Sequence, residues 1–193
     1  MPAYREVEIK FRIQDLRALA VRLKKAGFRH LTRRTLEQNT LYDLPGMVLR
    51  NRGELLRLRK YGAAWILTHK ARAKYGRHKS RVETETRIND GKKLDGILRA
   101  IGFTPTFVYE KFRAEWSDGR GQVVIDETPI GDFGEIEGSA RWIDATAKKL
   151  GITHAQYITA SYAGLFQEWK SRTGSTANNM TFKEARSNKR RRN

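Results

Sequence analysis

Residues 6–12, EVEIKFR, alternate charged and apolar side chains with a period of two. This is the period of a β-strand, in which successive side chains point to opposite faces. The apolar side chains share one face of the predicted strand, and the charged ones share the other: Glu6, Glu8, Lys10 and Arg12. A solvated charged face would explain one such strand, so the recurrence of the pattern decides whether another explanation is needed.

The pattern recurs as part of an internal repeat. The segment VEIKFRIQD (7–15) aligns with VETETRIND (82–90), and in both copies an amphipathic helical segment follows and ends at a Gly-Phe pair. Asp15 is the expected N-cap of the first helix, and Gly27 and Gly102 are the expected ends of the two helices. The two copies agree in charge pattern, helix length and the residues that end the helix, which indicates an internal repeat. Since two copies are too few for a solenoid, we infer a duplicated half-domain.

Each half continues into further strand-like segments: 39–44, 54–61 and 63–70 in the first, and 106–116, 121–126 and 133–138 in the second. With the two lead strands these make eight, and Asp118-Gly119 is a hairpin signal between two of them. The sequence therefore predicts an α+β fold with eight mostly antiparallel strands, which form a closed β-barrel or a strongly curved sheet with helices packed outside it. Further helices are expected from Ser139 to Leu150 and from about Ile158 through Trp169.

The composition of the 193 residues, 39% hydrophobic and 31% charged, fits one folded domain with extensive polar faces. The absence of cysteine excludes disulfides, thiolate metal sites and a cysteine nucleophile. No apolar run approaches the roughly 20 residues of a membrane span, and a strand pattern begins too early to leave room for a signal peptide. We therefore expect a soluble cytoplasmic protein without a membrane partner, either a monomer or a homodimer.

The formal net charge of +18 predicts a polyanionic partner: nucleic acid, a phosphorylated small molecule or an anionic surface. From residue 171 onward the chain has seven Lys or Arg, one Glu and few apolar residues. Such a segment cannot bury enough surface to fold, so we predict a domain over 1–170 and a disordered basic tail over 171–193. The same reasoning predicts a mobile basic loop over 71–81.

Nearly every predicted strand carries charged residues at alternate positions. The basic ones are Lys10, Arg57, Arg59, Lys70, Lys111 and Arg113, and the acidic ones are Glu6, Glu8, Glu83, Glu85, Asp126, Glu135 and Glu137. Because the helices must cover the apolar strand faces, the charged faces are expected inside the barrel. Buried ions are costly unless they are paired or bound to a metal, so an interior ligand is expected.

The two kinds of charge indicate what that ligand is. Arginine and lysine suit phosphate oxygens, and clustered carboxylates suit hard divalent cations that also hold substrate phosphates. The lining therefore predicts a polyphosphate site with Mg²⁺ or Mn²⁺, where phosphoryl chemistry needs little beyond positioning and charge neutralisation. A solvated charged face with internal Glu–Arg pairs stays open as the alternative.

On these residues the chain resembles the CYTH family, the triphosphate tunnel metalloenzymes, which includes class IV adenylate cyclases and thiamine triphosphatases. The ExExK signature of the family is present as Glu6, Glu8 and Lys10. The segments VETE, YEKFR, VVIDETPIGDFGEIEG and ASYAGLF look like the remaining family blocks in order, across about residues 4–170. The resemblance implies an eight-stranded antiparallel tunnel that binds a triphosphate with Mg²⁺ or Mn²⁺.

The resemblance also implies roles for the residues. The metal ligands would be Glu6, Glu8, Glu135 and Glu137, with Asp126, Glu83 and Glu85 as further candidates. The triphosphate would be held by Lys10, Arg57, Arg59, Lys70, Lys111 and Arg113, of which the first four are the catalytic candidates. The YEKFR and IGDFGEIE segments look closer to class IV adenylate cyclases than to animal thiamine triphosphatases.

The function that the resemblance implies is therefore conversion of ATP to cyclic AMP and pyrophosphate. The alternative is a hydrolase that releases phosphate from inorganic triphosphate or thiamine triphosphate. A basic nucleic-acid-binding module is the candidate from another class, supported by the net charge and by NKRRRN at 188–193. The paired acids count against it because they repel a phosphate backbone, although the tail could still add non-specific contact. No G-x-x-x-x-G-K-[ST] or H-E-x-x-H motif occurs.

Overall fold

The computed structural model describes residues 3–185 and contains a closed barrel of eight antiparallel strands. The strands are β1 (Tyr4–Arg12), β2 (Arg29–Asp43), β3 (Leu55–Tyr61), β4 (Ala64–Lys70), β5 (Lys79–Ile88), β6 (Thr104–Ser117), β7 (Gln122–Thr128) and β8 (Gly131–Glu137). Their order around the barrel is β1-β5-β4-β3-β2-β6-β7-β8, and β8 pairs back with β1. The predicted eight-stranded antiparallel barrel is confirmed.

The strand order reflects the internal repeat. The lead strands of the two halves, β1 and β5, pair directly, and β2 pairs with β6 on the opposite side of the barrel. β1 lies between β5 and β8, and β5 lies between β1 and β4. Exchanging β1–β4 with β5–β8 therefore leaves every pairing in place, which agrees with the predicted duplication of a half-domain.

The helices are α1 (Leu16–Lys25), α2 (Val48–Asn51), α3 (Gly91–Ala100), α4 (Ala140–Lys149) and α5 (Tyr162–Thr173). α1 and α3 follow the lead strands of the two halves and begin after Asp15 and Asp90, whose carboxylates accept backbone N–H groups of the first turn. Both helices are followed by a glycine with positive φ, Gly27 and Gly102, as the sequence predicts. No helix within residues 3–185 has the length and apolarity that crossing a bilayer requires.

The largest apolar cluster lies between the barrel wall and the helices α1 and α4. Ile9 of β1 and Ile136 of β8 are fully buried there against Leu19 of α1 and Ile143 of α4. Since these strand residues alternate with the charged ones, the apolar faces point outward to the helices and the charged faces point inward. The expected orientation of the strands is thus confirmed.

α5 lies at one end of the barrel instead of on its outer wall. It packs Tyr162 and Phe166 against Tyr109 of β6 and Phe133 of β8, which share the inward faces of their strands with charged residues. The helix starts at Tyr162, later than the sequence indicates, because the chain before it forms a bridge with β1. Ile158 exchanges both backbone hydrogen bonds with Lys10, each 2.8 Å long.

The structure differs from the predicted disordered tail at residues 171–185. After α5 ends, the backbone of Met180 pairs with β6, where its N–H donates to Val108 O and its C=O accepts from Glu110 N–H, each at 3.0 Å. The Met180 side chain is fully buried against α5. Composition misses this segment because a few apolar side chains, among them Met180 and Phe182, and the strand edge of β6 hold it. The rest of the predicted tail, 186–193, lies outside the described residues.

We expect Met180→Ala to lower the free energy of unfolding by about 3 kcal/mol, because it leaves a cavity beside α5 that the barrel end cannot collapse to fill. Met47, which is 38% exposed, supplies the matched control, and Met47→Ala should change stability by less than about 1 kcal/mol. Urea denaturation of both variants tests this difference. Equal stabilities of the two variants would show that residues 174–185 do not hold α5.

Candidate active site

A cavity of about 550 Å³ occupies the barrel, and charged side chains make up most of its wall. The basic ones are Lys10, Arg57, Arg59, Lys70, Lys79, Arg81, Lys111 and Arg113, and the acidic ones are Glu6, Glu8, Glu83, Glu85, Glu115, Glu135 and Glu137. The structure thus brings twelve of the thirteen predicted site residues together around one space, the tunnel cavity. Asp126 is the exception.

Asp126 lies behind the cavity wall, fully buried. Its carboxylate accepts hydrogen bonds from Lys111 Nζ at 2.9 Å, from Tyr162 Oη at 2.6 Å, and from both Nε and Nη2 of Arg113 at 2.8 and 2.6 Å. These contacts use both oxygens, and no part of the residue lines the cavity. In this arrangement the carboxylate of Asp126 orients cations of the wall, and its role as a metal ligand stays a prediction.

Sequence reasoning missed several residues of the site. Lys79 and Arg81 were expected in a mobile loop, yet they belong to β5, are buried, and line the cavity. Their signal is present in the sequence, since they extend the alternation of Glu83 and Glu85 toward the N-terminus of the strand. Glu37 was missed because the predicted second strand began at residue 39, whereas β2 begins ten residues earlier.

The two arginines of β3 line the cavity, and each keeps one buried donor without a partner among the described residues. Nη2 of Arg57 and Nη2 of Arg59 both reach Glu85 Oε1, at 3.2 and 3.4 Å. The Nε atoms of both arginines are buried and have no hydrogen-bond partner within residues 3–185. Buried polar atoms are rarely left unpaired, and guanidinium groups match phosphate oxygens well. These two side chains therefore suit an anionic ligand.

Four carboxylates, Glu6, Glu8, Glu83 and Glu137, form an acidic cluster on neighbouring strands β8, β1 and β5. Glu8 lies opposite Glu137 in the β1–β8 register, and Lys70 contacts both Glu6 and Glu83. Burial, together with the negative charges of Glu6 and Glu8, raises the pKa of Glu137 to about 8. Burial and a hydrogen bond with Glu6 likewise raise the pKa of Glu83 to about 8. The cluster thus holds more carboxylates than its lysines neutralise.

The other two members of the acidic cluster stay ionised. Burial opposes the charge of Glu6, but Lys70 and the neighbouring ammonium groups outweigh it and hold the pKa below its ordinary value. Glu8 also has a lowered pKa despite burial, because Lys10 at 3.0 Å and Lys79 both contact its Oε1. Ionised and protonated carboxylates therefore lie side by side in the cluster.

The chemistry of these donors fits a hard divalent cation. Carboxylate oxygens are the ligands that Mg²⁺ and Mn²⁺ prefer, and binding a cation would release the protons of Glu83 and Glu137. Within residues 3–185 no three His, Asp or Glu side chains already converge as a finished set of ligands. The ammonium groups of Lys10, Lys70 and Lys79 lie among the carboxylates instead, so a cation would have to displace them from these contacts.

Glu137→Gln should make the protein more stable at alkaline pH. The pKa of Glu137 is raised from 4.5 to about 8 on folding, so between these values the folded chain holds a proton that the unfolded chain has lost. The free energy of unfolding therefore falls as pH rises through this window. Glutamine does not ionise, so the variant should exceed the wild type by up to about 4 kcal/mol near pH 9 and match it near pH 4.

Urea denaturation in EDTA at both pH values measures this effect. Glu168→Gln, which changes an exposed carboxylate on α5, is the matched control and should show no such pH-dependent gain. If Glu137→Gln is no more stable than the wild type at alkaline pH, the pKa of Glu137 is not raised on folding, and the prediction is wrong.

Comparison with known proteins identifies relatives of this chain. The relative CyaB of Aeromonas hydrophila, an adenylate cyclase, is 26% identical over 178 residues, covering 84% of this chain and 89% of the relative. A Methanocaldococcus jannaschii protein, provisionally named adenylate cyclase, is 28% identical over 146 residues, covering 75% of this chain and 83% of the relative.

Solved structures share the fold. A Vibrio parahaemolyticus protein, provisionally called an adenylate cyclase, superposes with a TM-score of 0.74 at 20% identity, covering 84% of this chain and 97% of its own. HpAC1 of Hippeastrum, a candidate adenylyl cyclase described as having a dominant triphosphatase activity, superposes with a TM-score of 0.61 at 22% identity, covering 84% and 95%. The model of the CYTH domain matches residues 4–162. The chain therefore belongs to the CYTH family.

Proposed function

We propose that this protein is a Mg²⁺- or Mn²⁺-dependent enzyme that acts on the triphosphate of a nucleotide and converts ATP to cyclic AMP and pyrophosphate. The observation that carries the proposal is the division of the tunnel cavity into two neighbouring parts. One wall has the arginines of β3, and the other has the acidic cluster with two protonated carboxylates. A triphosphate with its cation needs both parts at once.

The charge balance of the cavity supports a cation as part of the ligand. Eight basic and seven acidic side chains line it, and the acids Glu37 and Asp126 are buried beside them. Such a nearly neutral lining cannot balance the several negative charges of a triphosphate. A bound divalent cation supplies the missing charge neutralisation at the phosphate oxygens. Glu6, Glu8, Glu83 and Glu137 would hold it.

The remaining side chains bind and orient the triphosphate. Arg57 and Arg59 line the cavity, and their guanidinium groups would bind phosphate oxygens. Lys111 and Arg113 both donate to Asp126, which orients the two side chains. Lys10 lies between Glu8 and Glu135, at 3.0 and 3.1 Å, and so connects the acidic cluster with the basic part. Preorganised cations of this kind favour the charge that develops during phosphoryl transfer.

A triphosphatase is the second candidate. A cyclase directs the ribose 3′-hydroxyl to the α-phosphorus, whereas a triphosphatase directs water to the terminal phosphorus, and both need the same clamp on the phosphates. The aliphatic side chains of the described cavity wall are Leu41, Leu55 and Ala163, so a base would depend on the tyrosines of the wall for most of its apolar contact. This observation and the activity described for HpAC1 support the hydrolase. Inorganic triphosphate or thiamine triphosphate would then be the substrate.

One assay separates the candidates. Purified protein is incubated with Mg²⁺ or Mn²⁺ and with ATP, inorganic triphosphate or thiamine triphosphate, while cyclic AMP, pyrophosphate and phosphate are measured. Equal amounts of cyclic AMP and pyrophosphate from ATP, abolished by EDTA, support the cyclase. Phosphate release from a triphosphate without cyclic AMP supports the second candidate. Absence of turnover with all three substrates and both metals would contradict both.

A further inference from the structure

The net charge of the protein lies outside the tunnel cavity. Eight basic side chains line the cavity, and nine acids oppose them: the seven of the wall together with the buried Glu37 and Asp126. The formal charge of +18 is therefore carried by the outer surface and the chain ends. The proposed triphosphate site does not account for it, so a second explanation is needed.

A large share of this charge lies on one side of the barrel, on α1, α4 and the start of β2. The exposed cations of this surface, the basic face, are Arg17, Arg22, Lys24, Lys25, Arg29, Arg141, Lys148 and Lys149. The two helices pack on the same apolar cluster, and Arg22 Nη1 of α1 donates to Leu150 O at the end of α4, at 2.7 Å. Their last turns, with two lysines each, are thus neighbours.

The cations of the basic face have no acidic partners within the part of the chain that the structure describes. None of the eight forms an ion pair within residues 3–185, and α1 contains no acid between Leu16 and Lys25. The equivalent helix of the second half, α3, pairs Lys93 with Asp90 and Arg99 with Asp95. Two helices from one duplication therefore differ in their surface charge, since α3 has two paired cations and α1 has none.

Helix stability does not explain this charge. Lysines in a last turn favour the helix dipole, which accounts for part of the pattern. Arg17 and Arg141, however, lie in the first turns of α1 and α4, where a positive charge opposes the dipole. Eight like charges on one surface also repel one another. A polyanion bound to the face would offset both costs.

We propose that the basic face binds the phosphate backbone of a nucleic acid without reading its sequence. A helix of ten residues is about 15 Å long, and this length of duplex carries about nine phosphate charges, close to the number of cations available. A membrane surface fits less well, because Val21 is the one large apolar side chain of α1 and α4 that is exposed. An amphipathic helix that inserts into lipid needs an apolar outer face.

Fluorescence anisotropy with a duplex of about 25 base pairs, at several salt concentrations and in EDTA, tests the proposal. The test variant removes four cations of the face: Lys24→Ala, Lys25→Ala, Lys148→Ala and Lys149→Ala. The matched control removes four exposed cations elsewhere: Arg52→Ala, Lys74→Ala, Arg87→Ala and Lys92→Ala. We expect the face variant to bind the duplex at least about tenfold more weakly than the wild type. The slope of the logarithm of its binding constant against the logarithm of the salt concentration should fall in magnitude by about one unit for each cation removed. The control variant should stay within about twofold of the wild type.

Three further binding experiments determine where on the protein the duplex binds. Deleting 186–193, which contain five Lys or Arg, should weaken binding less than the face variant does. Excess inorganic triphosphate with Mg²⁺ should not compete, and Glu137→Gln should bind normally, which keeps the result independent of the proposed activity. Loss of binding on tail deletion alone, full competition by triphosphate, equal effects of the two alanine variants, or binding to anionic phosphatidylserine vesicles but not to the duplex would each overturn the proposal.

Discussion

Glu6→Gln is expected to reduce metal-dependent turnover at least about a hundredfold while the barrel stays folded. Glutamine keeps the size of Glu6 but removes a charged oxygen from the acidic cluster, where a divalent cation would bind. The fold should survive because Lys70, which contacts Glu6 at 3.3 Å, keeps its contact with Glu83. The measurement is kcat as a function of Mg²⁺ or Mn²⁺ concentration with the substrate that the assay identifies.

Glu137→Gln separates the loss of a ligand from the loss of stability. This variant should lose turnover as Glu6→Gln does, although it is expected to be more stable than the wild type at alkaline pH. Glu168→Gln on α5 should keep full activity. Wild-type turnover in both cluster variants at the same cation concentration would defeat the assignment of the acidic cluster.

Glu8→Gln should behave differently from Glu6→Gln, although the two residues look alike in the sequence. Glu8 Oε1 contacts both Lys10 and Lys79, which are buried. Burial and the charge of Lys10 already lower the pKa of Lys79. Removal of the Glu8 charge takes away the carboxylate that stabilises the buried ammonium group of Lys79. We expect this variant to lose turnover and also about 3 kcal/mol of stability, because a buried ion loses its partner.

The parts of the fold that the sequence predicts are those with a local signal. Alternation in β1 and β5 fixes which side chains share a face, and the capped amphipathic helices show that the apolar faces need covering. These two facts together place the charges inside the barrel, without any knowledge of the strand order. The metal and triphosphate roles of the individual residues stay predictions.

The parts that the sequence does not predict depend on contacts between distant segments. β2 begins at Arg29, in a polar stretch without apolar alternation, and its length is set by pairing with β6. Nothing local shows that Tyr109 and Phe133 meet α5, or that Met180 completes that cluster. Lys79 and Arg81 are a different case. They alternate in register with Glu83 and Glu85, but the basic and polar residues before them favour a loop.

Lys111→Met should lower the free energy of unfolding by about 3–5 kcal/mol. This loss should exceed the change in the free energy of triphosphate binding. Lys111 is 2% exposed, and its Nζ lies 2.9 Å from Asp126 and 3.4 Å from Glu37, both fully buried. Methionine fills a similar volume but leaves these two carboxylates with fewer cations. The sequence suggests a substrate-binding role for Lys111, and the structure adds that its charge also holds the barrel wall together.

Arg59→Met is the matched comparison and should show the reverse. The Arg59 side chain is 12% exposed and its ion pairs are longer, 3.4 Å to Glu85 and 3.7 Å to Glu37, and Glu85 keeps Arg57 as a partner. We expect a stability change under about 1 kcal/mol and a roughly tenfold weaker binding of inorganic triphosphate in Mg²⁺, because a charged hydrogen bond to phosphate is lost. Urea denaturation and calorimetric titration measure the two effects. Similar losses of stability in the two variants would contradict this distinction, because they would show that the ion pairs of Lys111 do not make it more important for stability than Arg59.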